Sequence, residues 1–287
     1  MISETPSTLW CCPLCREPLL LADRQYRCAN GHCFDRAKEG YVNLLPVNRK
    51  RSASPGDDRE MLRNRREFLE LGHYRPLARL LGDICREQAA GCDAPSFSLL
   101  DTGCGEGYYT GVVAEALLGI GDGPDLWLGG IDIAKDAARM AAKRYRLVQF
   151  AVASNADLPL PERSIDCALR IFAPAADQEI VRVLKPGGLF VSVTPGERHL
   201  YGLRQLVYDQ PREHQAPIPR IDGLKHVRRE CLDYRIELTG KGQAAKLLAM
   251  TPYYWQASAE KQARIGQLED VETEVAFRVD CYRGDSQ

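Results

Sequence analysis

Residues 97–110, FSLLDTGCGEGYYT, constrain the fold of this chain more than any other stretch. An apolar run closes on Asp101, three glycines follow at alternate positions as Gly103, Gly105 and Gly107, and the helical pattern YYTGVVAEALL comes directly after. That is the order strand, tight loop, helix. Glycine carries no Cβ and accepts positive φ, so such a loop can curl closely around a ligand, and the positive end of the following helix adds to the site. A nicotinamide or flavin dinucleotide loop is spaced G-x-G-x-x-G; here the third glycine comes one residue early and Tyr108 stands in its place.

The strand and helix pattern then recurs. LWLGGIDIAKDAARMAAKRY, 126–145, predicts a second strand ending at Asp132 and a helix after it; an acid there can accept both hydroxyls of a ribose as a bidentate pair. A third strand is expected at 147–153, followed by SNADLPLPERS, and a fourth in SIDCALRIF, 164–172. VLKPGGLFVSVTPG, 183–196, supplies a helix end, a Lys-Pro-Gly-Gly turn and a fifth strand. Successive βα repeats of this kind predict an α/β fold with a parallel, doubly wound sheet. An acid ahead of a G-x-G-x-G loop resembles the S-adenosylmethionine loop of class I (Rossmann-like) methyltransferases, and Asn155 and Asp157 then lie where that class recognises adenine. The bland alternative is a Rossmann scaffold that binds nothing.

A second feature precedes this domain. CCPLCREPLLLADRQYRCANGHCFD, 11–35, holds five of the eleven cysteines and one of the five histidines. Zinc takes four soft or borderline ligands in a tetrahedron, and Cys12-x-x-Cys15 supplies two thiolates from one turn. CANGHC offers Cys28 with either His32 or Cys33 as the other half, and two short strand-like runs around a turn at Asp23 and Arg24 would bring the halves together. A thioredoxin-like redox pair needs a βαβ context that is absent around Cys12. A segment of this size buries too little to fold unaided, so a single structural zinc ion would supply much of its folding free energy.

Composition adds bounds. A chain of 287 residues accommodates an α/β core and a smaller module. No apolar run approaches the ~20 residues of a membrane helix, and MISETPSTLW has neither a basic nor an apolar leader region, so a cytoplasmic protein with no membrane partner is expected. Residues 1–80 carry 14 Lys/Arg against 10 Asp/Glu, a balance of +4 that leaves −5 for the remainder. NRKRS at 48–52 and RNRRE at 63–67 could face a polyanion, although a basic stripe usually marks a solvated helix face. The expected organisation is a zinc-ribbon or finger-like RNA-recognition head over 1–47, a linker and connecting helix over 48–75 and a Rossmann-like methyltransferase domain over 76–287. Asp57 or Asp58 should cap the connecting helix, and a short helix should follow around 76–88. QLVYDQPREHQAPIPRIDGLKHVRREC, 205–231, reads as a mobile cover, and DVETEVAFRVDCYR, 270–283, as an antiparallel edge strand. Cys85, Cys92, Cys104, Cys167, Cys231 and Cys281 read as small buried residues.

The Cys-rich head joined to FDRAKEGYVNLLP (34–46), PGDDREMLRNRREFLELGHYRPL (55–77), LDTGCGEGYYT (100–110), TPGERHL (194–200) and AMTPYYWQA (249–257) resembles the 23S ribosomal RNA guanine-N1 methyltransferases of the RlmA type over essentially the whole chain. The resemblance implies Cys12, Cys15, Cys28 and His32 as zinc ligands, with Cys11 and Cys33 as spectators. It implies that Tyr74 and His199 help hold S-adenosylmethionine beside Gly105 and Glu106. It makes 23S ribosomal RNA the partner and leaves room for a homodimer. The target guanine should be unpaired or extruded, since its N1 edge is hidden in a helix, and zinc-ligand loss should harm RNA binding more than cofactor binding. Phe172 could stack on an extruded base and Asp177 could accept the proton, but core packing for the one and a helix cap for the other are the plainer readings, and the base is unassigned. Rival classes are a methyltransferase of a small molecule or another RNA, and a non-catalytic zinc-ribbon adaptor.

Overall fold

The structure is a computed structural model that describes residues 8–46, 56–92, 94–121 and 123–285. NRKRS at 48–52 and the expected boundary at 47/48 lie outside the described residues.

The head is a three-stranded antiparallel sheet of β1 (Leu20–Ala22), β2 (Gln25–Arg27) and β3 (Cys33–Asp35). Leu20 faces Arg27 across the expected hairpin, and Asp23 takes φ 55° at its turn. A two-residue strand, β4 (Val42–Asn43), leaves the head. The connecting helix α1 (Arg59–Glu70) begins at Asp58, whose carboxylate accepts a hydrogen bond from the Met61 amide at 2.8 Å. Helix α2 (Arg75–Ala90) carries Pro76 in its first turn, where a missing N–H costs nothing.

The large domain alternates β5 (Ser96–Thr102), α3 (Tyr108–Leu118), β6 (Asp125–Asp132), α4 (Lys135–Arg144), β7 (Gln149–Val152), β8 (Ile165–Ile171), α5 (Asp177–Val183), β9 (Leu184–Pro195) and α6 (Tyr201–Val207). It ends with β10 (Leu224–Thr239), α7 (Gln243–Ala249), α8 (Ala259–Gln267) and β11 (Asp270–Gly284). The strand order is β10-β11-β9-β8-β5-β6-β7-β4, parallel from β9 to β4. Strand order reverses between β5 and β8, which opens the crevice beyond their carboxyl ends where ligands of doubly wound sheets bind.

Two expectations for the C-terminal third are corrected. β11 is interior, antiparallel to both β9 and β10, and the edge is β10. Residues 224–231 of the expected cover are the start of β10, and the preceding stretch is tied down: Arg229 donates to the Ala216 and Pro217 carbonyls and Tyr282 to that of Pro219. Cys231 is exposed rather than buried, whereas Cys85, Cys104, Cys167 and Cys281 are buried.

The head and the sheet share apolar packing. Trp10 meets Trp127 of β6 edge to face at 5.1 Å, and Trp10, Cys12, Leu19 and Tyr26 belong to one buried cluster with Leu100, Ile131 and Phe190. β4 lies parallel to β7, with Val42 opposite Ala151.

Candidate cofactor cradle and metal centre

The glycine loop takes the shape its sequence demands. Gly103, Gly105 and Gly107 all have positive φ (73°, 57° and 88°). A Cβ on Gly103 would stand 2.5 Å from that of Ala173, and one on Gly107 would stand 2.9 Å from that of Ala141, so at both positions the backbone passes where no side chain fits. The amides of Gly103 and Cys104 both donate to the Ile131 carbonyl at 2.9 Å, pinning the loop to the end of β6. Asp132 holds it again: Oδ2 accepts from the Gly105 amide at 2.9 Å and Oδ1 from the Ala134 amide at 2.8 Å. Each oxygen keeps a lone pair for a further donor, such as a ribose hydroxyl. Asn155 lies beside the loop, its Nδ2 3.5 Å from the position of a Gly103 Cβ. Asp132 and Asn155 thus both lie against the glycine loop.

The electrostatics suit a ligand that carries its own donors. Asp101 is 1% exposed; burial pushes its carboxyl up to about 7 although Thr110 donates to Oδ2 at 2.5 Å. Its Oδ1 is buried without a hydrogen-bond partner among the described residues. Burial also raises Asp132 and Glu106. An unpaired buried acceptor beside a loop that takes positive φ at three glycines is what an amino-acid and nucleoside ligand would complete, so the residues fit S-adenosylmethionine.

Other expected contacts sit differently. Glu106 is 2% exposed and spends its carboxylate on Arg66 of α1, 3.1 Å away. Tyr74 and His199 meet in an aromatic cluster with Phe277: Tyr74 is edge-on to Phe277 at 5.0 Å, and its hydroxyl is a buried group without a partner among the described residues. His199 is buried, its Nδ1 accepts from the Ala276 amide at 3.3 Å, and burial with nearby His214 pushes its pKa down to about 3. The ring is therefore neutral and presents Nε2–H as a donor. Phe172 is no core residue; at φ 53° and 44% exposed, it lies over His199 with ring centroids 6.1 Å apart. Asp177 does not cap α5, whose N-cap is Ala176; it is held by Arg170 at 2.5 Å.

Two residues escaped sequence reasoning because RNRRE reads as a solvated or RNA-facing run. Arg66 is turned inward to Glu106, and Arg65 reaches within 3.5 Å of the Gly105 Cβ position while paired with Asp57. Of that run's arginines only Arg63 is exposed, Arg65 and Arg66 being half-buried.

In the head, the Cys12 and Cys15 knuckle meets the turn between β2 and β3. The His32 Nδ1 lies 3.4 Å from each of the sulfurs of Cys12, Cys15 and Cys28, and the Cys15 and Cys28 sulfurs are 3.7 Å apart. A tetrahedron with Zn–S and Zn–N bonds of ~2.3 and ~2.0 Å has edges of about 3.8 and 3.5 Å, so this set fits zinc. Cys33 is exposed with its thiol toward the Gly31 carbonyl, and the Cys11 amide donates to the Pro159 carbonyl; neither joins the cluster.

Residues 10–53 match the family model described as RlmA, N-terminal, and residues 100–192 match a methyltransferase domain model. The chain is 40% identical to the 23S rRNA (guanine(748)-N(1))-methyltransferase of Streptomyces fradiae over 66% of its own length and 64% of that enzyme's. It is 31% identical to YxjB of Bacillus subtilis over 92% of this chain and 93% of the relative, and 31% identical to a Micromonospora griseorubida protein over 95% and 96%. Both of these are provisionally named 23S rRNA (guanine-N1)-methyltransferases.

Proposed function

The chain belongs to the RlmA family, and from that membership we propose that it methylates N1 of a guanine in 23S ribosomal RNA, in the cytoplasm, with the head contributing to RNA recognition. The observation that carries the reading is the pairing of a glycine cradle pinned by Asp132 with a tetrahedral Cys3His set in one packed molecule.

When bound, S-adenosylmethionine supplies a methyl group already activated on a sulfonium sulfur. The chain's own residues hold and align. Asp132 would take ribose hydroxyls, Asn155 the adenine side, and the Asp101 Oδ1 and the Tyr74 hydroxyl are buried atoms without hydrogen-bond partners among the described residues. Arg65 brings positive charge over the loop, suited to the carboxylate of the amino-acid end. Phe172, exposed at the carboxyl end of β8, offers a face on which an extruded guanine can stack. The N1 proton must leave during transfer. His199 has no free acceptor as arranged, since its Nδ1 receives the Ala276 amide, while Asp177 is engaged by Arg170 at Oδ1.

Arg24, Arg27, Arg36 and Lys38 are exposed on and just after the head's sheet, supplying the charge that RNA phosphates require. A homodimer remains part of the reading and is decided by sedimentation of the zinc-loaded chain. Primer extension on 23S RNA from cells with and without the gene tests the activity. An N1-methyl blocks Watson–Crick pairing, so reverse transcriptase should stop just before the target only when the gene is present, with guanine 748, the position named for the Streptomyces relative, read first. Identical patterns would sink the proposal.

A further inference from the structure

The zinc knuckle and the adenine side of the cofactor cradle are physically joined. Arg16 directly follows the ligand Cys15, and the turn that holds both is closed by the Arg16 amide donating to the Cys12 carbonyl at 2.9 Å. With φ 65° at Arg16, its side chain leaves the knuckle toward the sheet and makes two contacts on the loop after β7. One guanidinium nitrogen donates to the Leu158 carbonyl at 2.8 Å, and the other is paired with the Asp157 carboxylate. One step further along, the Cys11 amide donates to the Pro159 carbonyl at 2.8 Å. The loop itself is a tight turn: the Asp157 amide donates to the Ser154 carbonyl at 3.1 Å and the Ala156 amide to the Ser154 hydroxyl at 3.2 Å, with Asn155 at its tip beside Gly103.

We infer that Arg16 is a positioning residue for the cofactor site: the zinc centre fixes the knuckle, the knuckle fixes Arg16, and Arg16 fixes the turn that presents Asn155. Metal and cofactor then bind with positive coupling. This rests on the reading of residues 154–160 as the adenine side of an S-adenosylmethionine site. It adds a measurable cofactor cost to the expectation that zinc-ligand loss harms RNA binding more than cofactor binding.

Two observations set the size of the effect. The Arg16 side chain is 47% exposed, so its ion pair adds little to folding stability. The same loop is gripped from its other side by Arg182 of α5, which donates to the Leu158 and Leu160 carbonyls at 2.9 Å, while Glu179 accepts the Leu158 amide at 2.6 Å. Loss of Arg16 therefore loosens the turn without collapsing it.

The test uses the full zinc-loaded chain and the variants Arg16→Met, which keeps an apolar stem, and Arg16→Lys, which keeps the charge without the planar fork. Isothermal titration with S-adenosylmethionine should show affinity weakened about three- to tenfold in Arg16→Met, the scale of one ordinary net hydrogen bond, and partly restored in Arg16→Lys. Zinc content and melting temperature should match the unaltered chain. By linkage, S-adenosylmethionine should raise the unaltered chain's zinc affinity, measured by competition with a chromogenic chelator, and raise it less in Arg16→Met. Unchanged cofactor affinity in zinc-replete Arg16→Met overturns the inference. So does a zinc affinity in the unaltered chain that is indifferent to S-adenosylmethionine, a result that stands even where the variant fails to fold. No binding of S-adenosylmethionine to the unaltered chain would instead remove the cofactor reading on which the inference depends.

Discussion

At the scale of single residues, Asp101 is the group whose burial has the clearest thermodynamic consequence. Its pKa is near 4 in an unfolded chain and about 7 when folded, so between those values the folded state holds the extra proton and stability falls as pH rises, levelling above 7. At 1.36 kcal/mol per unit, the stability lost between pH 5 and 8 through this group is about 2–3 kcal/mol. Asp101→Asn keeps an acceptor for Thr110, so urea unfolding should show the variant gaining that amount on the unaltered chain over the same range; parallel pH profiles would refute the assignment. His199 slopes the other way: its folded pKa of about 3 lies below the unfolded value, so its contribution is complete above pH 6.5 and is lost as pH falls toward 3. Residue-level legibility followed locality. Cys12, Cys15 and Cys28 stand out because a knuckle and a turn dictate their spacing, whereas the choice of His32 over Cys33 came from the family resemblance. Arg16 and Arg66 were invisible because their partners lie 141 and 40 positions away. Phe172 gave no sign of its positive φ, so core packing was the natural reading of an aromatic at the end of an apolar strand.

Among elements, α1 turned out to matter beyond connecting the head to the sheet. It lays Arg65 over the glycine loop and Arg66 on Glu106, so removing the Arg66 charge strands a carboxylate that is 2% exposed. With Arg66 itself a quarter exposed, Arg66→Ala should cost about 2–3 kcal/mol by chemical denaturation, and Arg66→Met with Glu106→Gln should recover most of it. An additive double variant would show that the two do not depend on each other. The strands β5, β6, β7, β8 and β9 could be read in advance because both faces of a parallel sheet are buried and their sequences run apolar without a break. β10 escaped because LKHVRRECLDYRIELT has a half-exposed alternating pattern filled with charge, which is how an edge strand resists pairing with strangers. β11 was misplaced to the edge because its charges look solvent-facing. Arg278 pairs with Asp233, and Asp280, buried, pairs with Arg229 and His226 of β10.

Across the whole molecule, the head and the sheet share a buried cluster centred on Trp10 and Trp127, and separating them would expose both indoles. Calorimetry of the zinc-loaded chain should therefore give a single cooperative transition, and a zinc chelator should move all of it to lower temperature. Two resolved transitions, with only the smaller sensitive to chelator, would mean that the parts unfold independently. The sequence suggests two modules in order; it had no means of showing that they would share a core, because the shared contacts are single residues drawn from distant segments. The two paired residues of β4 carry the last consequence. By adding to the sheet edge beside β7, they tie the end of the head to the sheet by backbone pairing. A head locked to the sheet makes the protein a gauge of fixed span. On the proposed function, an RNA held on it would bring its guanine to the cleft only when the distance built into the RNA equals the distance built into the protein.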